Sequence, residues 1–117
     1  MPAALLKRRL RRDSIVKVLN FGSLNIDYTY RLDHIVRPGE TITSKKLEIF
    51  PGGKGLNQSV ALAKAGVQVY HAGMIGEDGR FLKDICRKSG VNTEYIRETE
   101  TRTGNAMIQV SDEGQNS

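Results

Sequence analysis

The segment Gly52-Gly53-Lys54-Gly55, with Asn57 just beyond it, gathers residue types that suit a polar, oxygen-rich ligand. Consecutive glycines let backbone N–H groups approach a ligand with no Cβ in the way. A helix beginning there would add unpaired donors and a partial positive charge in its first turn. Lys54 supplies a mobile cation, and the Asn57 amide offers both a donor and an acceptor. The spacing excludes two phosphate-binding loops. A Walker A loop needs Lys-Ser or Lys-Thr after a longer spacer, and the dinucleotide fingerprint follows its strand directly. A tight strand-to-helix turn with no ligand at all would use the same glycines.

Asn25 and Asp27 form a second cluster. Residues two apart in extended backbone point to the same side. The pair follows an apolar run, and in open α/β sheets ligands gather beyond the carboxyl ends of the strands. A carboxylate beside an amide there matches neighbouring sugar hydroxyls. An Asx-type turn, in which both side chains bond the local backbone, is the competing use.

The elements that would carry these groups follow from the hydrophobic pattern. Residues 15–21, closed by Gly22, predict a short buried strand of a parallel sheet. Residues 28–32 predict a second, more exposed strand, and Pro38-Gly39 a turn. Residues 41–43 and 46–50 alternate with period two, with Leu47 and Ile49 on one face. Leu56, Val60 and Ala63 predict a helix that stops at Gly66. A strand follows over residues 67–73. Gly76-Glu77-Asp78-Gly79 then leads into a second helix, with Phe81, Leu82, Ile85 and Cys86 in one stripe and Gly90 at its end. Residues 101–110 predict a last strand, and Asp112-Glu113-Gly114 a hairpin turn that nothing afterwards closes. Alternating strands and helices predict βαβ units, with residues 28–50 as an antiparallel insertion.

Composition narrows the class. The 117 residues suit one modest domain, and 38% hydrophobic with 26% charged residues excludes collagen-like and low-complexity chains. No stretch approaches the roughly 20 apolar residues of a membrane span. A lone Cys86 excludes an intramolecular disulfide, so a cytoplasmic protein is expected. The net charge of +5 resides in Lys7, Arg8, Arg9, Arg11 and Arg12, and the remainder carries equal numbers of both signs. Residues 1–14 therefore read as a disordered, solvated basic extension. Attachment to RNA or anionic lipid is the alternative, but the tail contains no aromatic residues to stack on bases. His34 and His71, the latter expected at a strand end, have no ligands at metal-site spacing, and Cys86 reads as packing.

Taken in order, Gly22-Ser23-Leu24-Asn25-Ile26-Asp27, Pro38-Gly39-Glu40-Thr41, Gly52-Gly53-Lys54-Gly55-Leu56-Asn57-Gln58 and Gly76-Glu77-Asp78 closely resemble the opening half of the ribokinase-like, PfkB family of carbohydrate kinases. The resemblance spans residues 16–117. It implies a Rossmann-like α/β/α sandwich, of which this is the first half, with a small antiparallel β-sheet lid from residues 28–50 and 101–117. It implies ATP-dependent phosphorylation of a sugar hydroxyl with Mg²⁺, and ribose is the first expectation for the sugar. Asn25, Asp27, Gly52, Gly53, Lys54, Gly55 and Asn57 would bind that sugar, with Asp27 holding a hydroxyl rather than acting as a base. Lids of this type also interlock into homodimers, so the lid is a candidate dimer face.

The chain departs from the family at Phe81, where a Gly three residues past the Asp is usual. The family's catalytic aspartate, adenine pocket and Mg²⁺-associated Asn-x-x-Glu motif belong to its second half and do not occur in these 117 residues. No catalytic, cofactor-binding or metal residue is therefore assigned. The expected function is the sugar-binding, N-terminal portion of such a kinase. The alternative is a non-catalytic module that retains only sugar binding or lid-mediated dimerisation.

Overall fold

The computed structural model describes residues 16–117, so the basic extension expected over residues 1–14 lies outside the described residues. The elements run β1 (Lys17–Phe21), β2 (Asn25–Leu32), β3 (Lys46–Gly52), α1 (Lys54–Lys64), β4 (Gln68–Ile75), a short 3₁₀ turn (Glu77–Gly79), α2 (Arg80–Lys88), β5 (Asn92–Glu98) and β6 (Gly104–Ser111). They make two three-stranded sheets, ordered β1-β4-β5 and β3-β2-β6.

The first sheet is wholly parallel, as strand–helix–strand connections require. Helices α1 and α2 pack on one of its faces. Leu56, Ser59 and Ala63 of α1 are buried at spacings of three and four, and Leu82 and Cys86 of α2 lie one turn apart with no exposure. They meet Val69, Ile75 and Ile96 from the strands in a single core. Burial pushes the Cys86 thiol up to about 11, so it is an inert packing group. Both helices end at a glycine with positive φ, Gly66 and Gly90, as expected.

Four sequence expectations need correction. β1 is an edge strand with one open face rather than a buried one: Phe21 is 84% exposed. The second sheet is mixed, because β3 joins β2 antiparallel while β6 joins it parallel through the long route from β5. Residues 41–43 form no strand. Glu40 instead folds back on its own turn, where its carboxylate accepts from the Arg37 N–H at 3.1 Å and lies 2.8 Å from His34 Nε2. Finally, the turn at residues 112–114 does close a hairpin: Gln109 and Ser117 exchange both backbone hydrogen bonds, at 2.9 and 3.0 Å. No helix among the described residues is long and apolar enough to cross a membrane.

Candidate functional site

Asn25 and Asp27 follow the end of β1, as expected, and open β2, where their side chains share one face of the second sheet. Register places Asn25 between Gly52 of β3 and Gly104 of β6. Those two glycines leave space that the polar side chains occupy. A Cβ on Gly52 would stand 2.6–2.7 Å from the Asp27 carboxylate, and one on Gly104 would stand 2.7 Å from Asn25 Oδ1. The Asp27 carboxylate therefore lies over the last residue of β3, immediately before the mouth of α1.

Gly53 turns the chain from β3 into α1 with φ 100°, a conformation that L side chains rarely adopt. Its missing Cβ also admits Ser23 O, which would be 2.6 Å away. Lys54 is the first residue of the helix, and Asn57 is exposed one turn above Gly53. The start of the helix is not left with all its donors free. The Ser23 carbonyl accepts from Leu56 N–H at 3.0 Å, and Ser23 Oγ accepts from Gly55 N–H at 3.5 Å. Ser23 is thus a cap supplied from a distant loop, and sequence reading missed it. Nothing local marks it, because helix-capping signals are sought in the residues just before the helix. Two backbone donors of this helix mouth are therefore already engaged.

Gly22 and Gly55 meet backbone to backbone: a Cβ on Gly55 would fall 2.5 Å from the Gly22 carbonyl carbon. The loop after β1 and the mouth of α1 are therefore one structural unit, and Gly55 serves the packing of the site rather than the ligand face. Beneath the contact His71, expected at a strand end, stands mid-strand in β4 with no exposure. Burial pushes its imidazole below the ordinary value near 6.5, which favours the neutral ring.

A groove of about 590 Å³ opens beside Asn25 and Gly104 and runs along the open face of the first sheet past Phe21, Met74 and Tyr95. Asp27, Lys54 and Asn57 are not among its lining residues. The chain thus brings Asn25 and Asp27 onto one sheet face, with Asp27 at the mouth of α1, while the groove reaches only Asn25.

Gly76-Glu77-Asp78 has a structural role. Asp78 Oδ1 accepts from the Thr103 N–H at 3.0 Å and from its hydroxyl at 2.8 Å, while Thr103 Oγ1 accepts from Gly76 N–H at 2.8 Å. Hydrogen bonds from Thr103 hold the Asp78 carboxyl below its usual range. This corner fastens the entry of β6, and with it the second sheet, to the end of β4.

The profile of the pfkB family carbohydrate kinases matches residues 16–117. The chain is 37% identical over 99 residues to ribokinase of Haemophilus influenzae, covering 82% of this chain and 32% of that protein. It is 34% identical over 101 residues to ribokinase of Arabidopsis thaliana, covering 82% and 27% respectively. Among solved structures, ribokinase of Cryptococcus neoformans in complex with ADP superposes with a TM-score of 0.80 at 47% identity, over 86% of this chain and 32% of that one. Arabidopsis thaliana ribokinase complexed with ribose and ATP gives 0.72 at 33% identity, over 86% and 34%. The chain spans about a third of the length of such relatives.

Proposed function

The chain belongs to the pfkB family of carbohydrate kinases, and from that membership we propose that residues 16–117 are the sugar-binding part of a ribokinase-like enzyme. Ribose is the sugar of choice. The whole protein would transfer the terminal phosphoryl group of ATP, with Mg²⁺, to a sugar hydroxyl. The observation that carries this reading is the placement of the Asp27 carboxylate against Gly52, beside Asn25 and before the helix mouth. A carboxylate accepts from two adjacent hydroxyls, and the Asn25 and Asn57 amides supply matched donors and acceptors. Lys54 adds a cation at the rim, and Gly52 and Gly53 leave the room that the Asp27 carboxylate and the Ser23 carbonyl occupy beside it.

No nucleotide or metal step is assigned to this chain's residues. Two helix-mouth amides that could cradle a phosphate are engaged by Ser23. What these residues do is bind the sugar and orient its hydroxyls. The exposed Leu47, Ile49 and Met107 of the second sheet also offer a homodimer face.

Isothermal titration of the chain with D-ribose, D-fructose and a nucleoside tests the reading. Ribose should bind, and Asp27→Asn should weaken it at least tenfold, since a hydrogen bond to a charged group contributes about 1.5–3 kcal/mol. Binding that survives Asp27→Asn unchanged would remove the sugar-holding role.

A further inference from the structure

Asn20, Ser59 and His71 stand under the junction of β1, α1 and β4 in a connected hydrogen-bond network. Asn20 Nδ2 donates to Gly55 O at 3.0 Å and to Ser59 Oγ at 2.9 Å. Ser59 Oγ is 2.6 Å from His71 Nδ1, and His71 Nε2 is 3.0 Å from Gly22 O. With the ring neutral, donor counting assigns each proton. A carbonyl only accepts, so the Nε2 atom carries the ring hydrogen and donates it to Gly22 O. The neutral Nδ1 lone pair then accepts from the Ser59 hydroxyl, whose oxygen in turn accepts from Asn20. Both N–H bonds of the Asn20 amide are used. Ser59 and His71 are completely buried, and among the described residues no buried side-chain nitrogen or oxygen lacks a partner.

The two carbonyls at the ends of this network belong to Gly22 and Gly55, whose backbones touch. Gly22 leads within three residues to Asn25 and within five to Asp27. Gly55 lies between Gly53 and Asn57. We propose that Asn20, Ser59 and His71 are positioning residues: together they fix the loop after β1 against the mouth of α1, and so hold Asn25 and Asp27 in register with Lys54 and Asn57. Three apolar side chains could fill the same volume but could not orient either carbonyl. A saturated buried network permits one arrangement, because any shift leaves a desolvated group unpaired. The inference rests on the sugar-binding reading for its ligand, but not for the existence of the clamp.

The test uses His71→Phe, which keeps a ring and removes both polar atoms, His71→Gln, which restores a donor beside an acceptor, and Ser59→Ala. Amide hydrogen exchange reports the clamp at Leu56, whose N–H is held by Ser23 O. Nitrogen shifts of the His71 ring report its tautomer, and titration with D-ribose reports the site. Wild-type protein should show the Nε2–H tautomer. In His71→Phe, Leu56 should exchange at least tenfold faster while the core amides of Leu82 and Ile96 keep their rates. Ribose affinity should fall roughly tenfold, the effect of one buried hydrogen bond left unmade, and His71→Gln should recover most of it. An Nδ1–H tautomer, or unchanged Leu56 exchange in His71→Phe, overturns the clamp. Should His71→Phe fail to fold, Ser59→Ala decides by the same two readouts. A wild-type chain that binds no ribose overturns the sugar reading instead, and Leu56 exchange alone then decides the clamp.

Discussion

Three glycines near the site are crowded for different reasons, and the difference separates binding from folding. The neighbour of Gly104 is the far end of the Asn25 side chain, which can swing away at little cost. The neighbours of Gly55 are the backbone atoms of Gly22 and Ser23, which cannot move without opening the contact between loop and helix. Gly52 lies closer to the first case, since only the Asp27 carboxylate would be displaced. Gly104→Ala should therefore leave the thermal midpoint nearly unchanged and reduce ribose affinity by displacing Asn25. Gly55→Ala should lower the midpoint by several degrees, and affinity with it. Differential scanning fluorimetry beside calorimetric titration separates the two. Equal loss of stability in both variants would contradict this assignment of roles.

Elements were legible where period and punctuation agreed. Helices α1 and α2 carried clean apolar stripes and glycine stops, and both formed as the sequence predicts. β5 was not foreseen. Its buried residues, Thr93 and Ile96, lie three apart because an irregularity between Tyr70 and Ala72 sets three residues of β5 against two of β4. Such a bulge erases the alternation by which a strand is recognised. The parallel arrival of β6 beside β2 was equally hidden, since pairing direction is set by a connection passing through the other sheet. The candidate site was legible as two motifs, Asn25-Ile26-Asp27 and Gly52-Gly53-Lys54-Gly55, but not as the contacts that unite them, for Ser23, Ser59 and His71 act across long sequence separations. The Thr103 corner is another such long-range contact. Thr103→Val keeps the side-chain shape and removes the acceptor for the buried Gly76 N–H. Leaving that group unpaired costs about 1–3 kcal/mol. The variant should lose cooperativity between the two sheets, seen as faster hydrogen exchange in β6 than in β4. Uniform exchange across both strands would show that the corner does not couple them.

At the scale of the molecule, the helices among the described residues cover the first sheet on one face only. Leu19, Phe21, Met74 and Tyr95 stand on the other, exposed by 61, 84, 66 and 51%. They form one contiguous face, since register sets Phe21 beside Ala72, Ala72 beside Tyr95, and Met74 beside Arg97. Fully burying a large apolar side chain is worth roughly 1.5–3 kcal/mol, so four on one open face favour association strongly. Among the described residues β1 also forms an edge of this sheet, which can pair with another strand. The chain alone should therefore associate with its own copies as concentration rises. In sedimentation velocity the wild type should show a concentration-dependent shift, and the double substitution Phe21→Lys with Met74→Lys should greatly reduce it with an unchanged helical spectrum. Ile49→Lys tests the homodimer face of the second sheet separately, because its residue lies on a different surface. If Ile49→Lys rather than the paired change abolishes association, copies meet through the second sheet. A wild-type chain that stays monomeric at high concentration would show that water tolerates the open face, and that neither surface drives assembly in this chain.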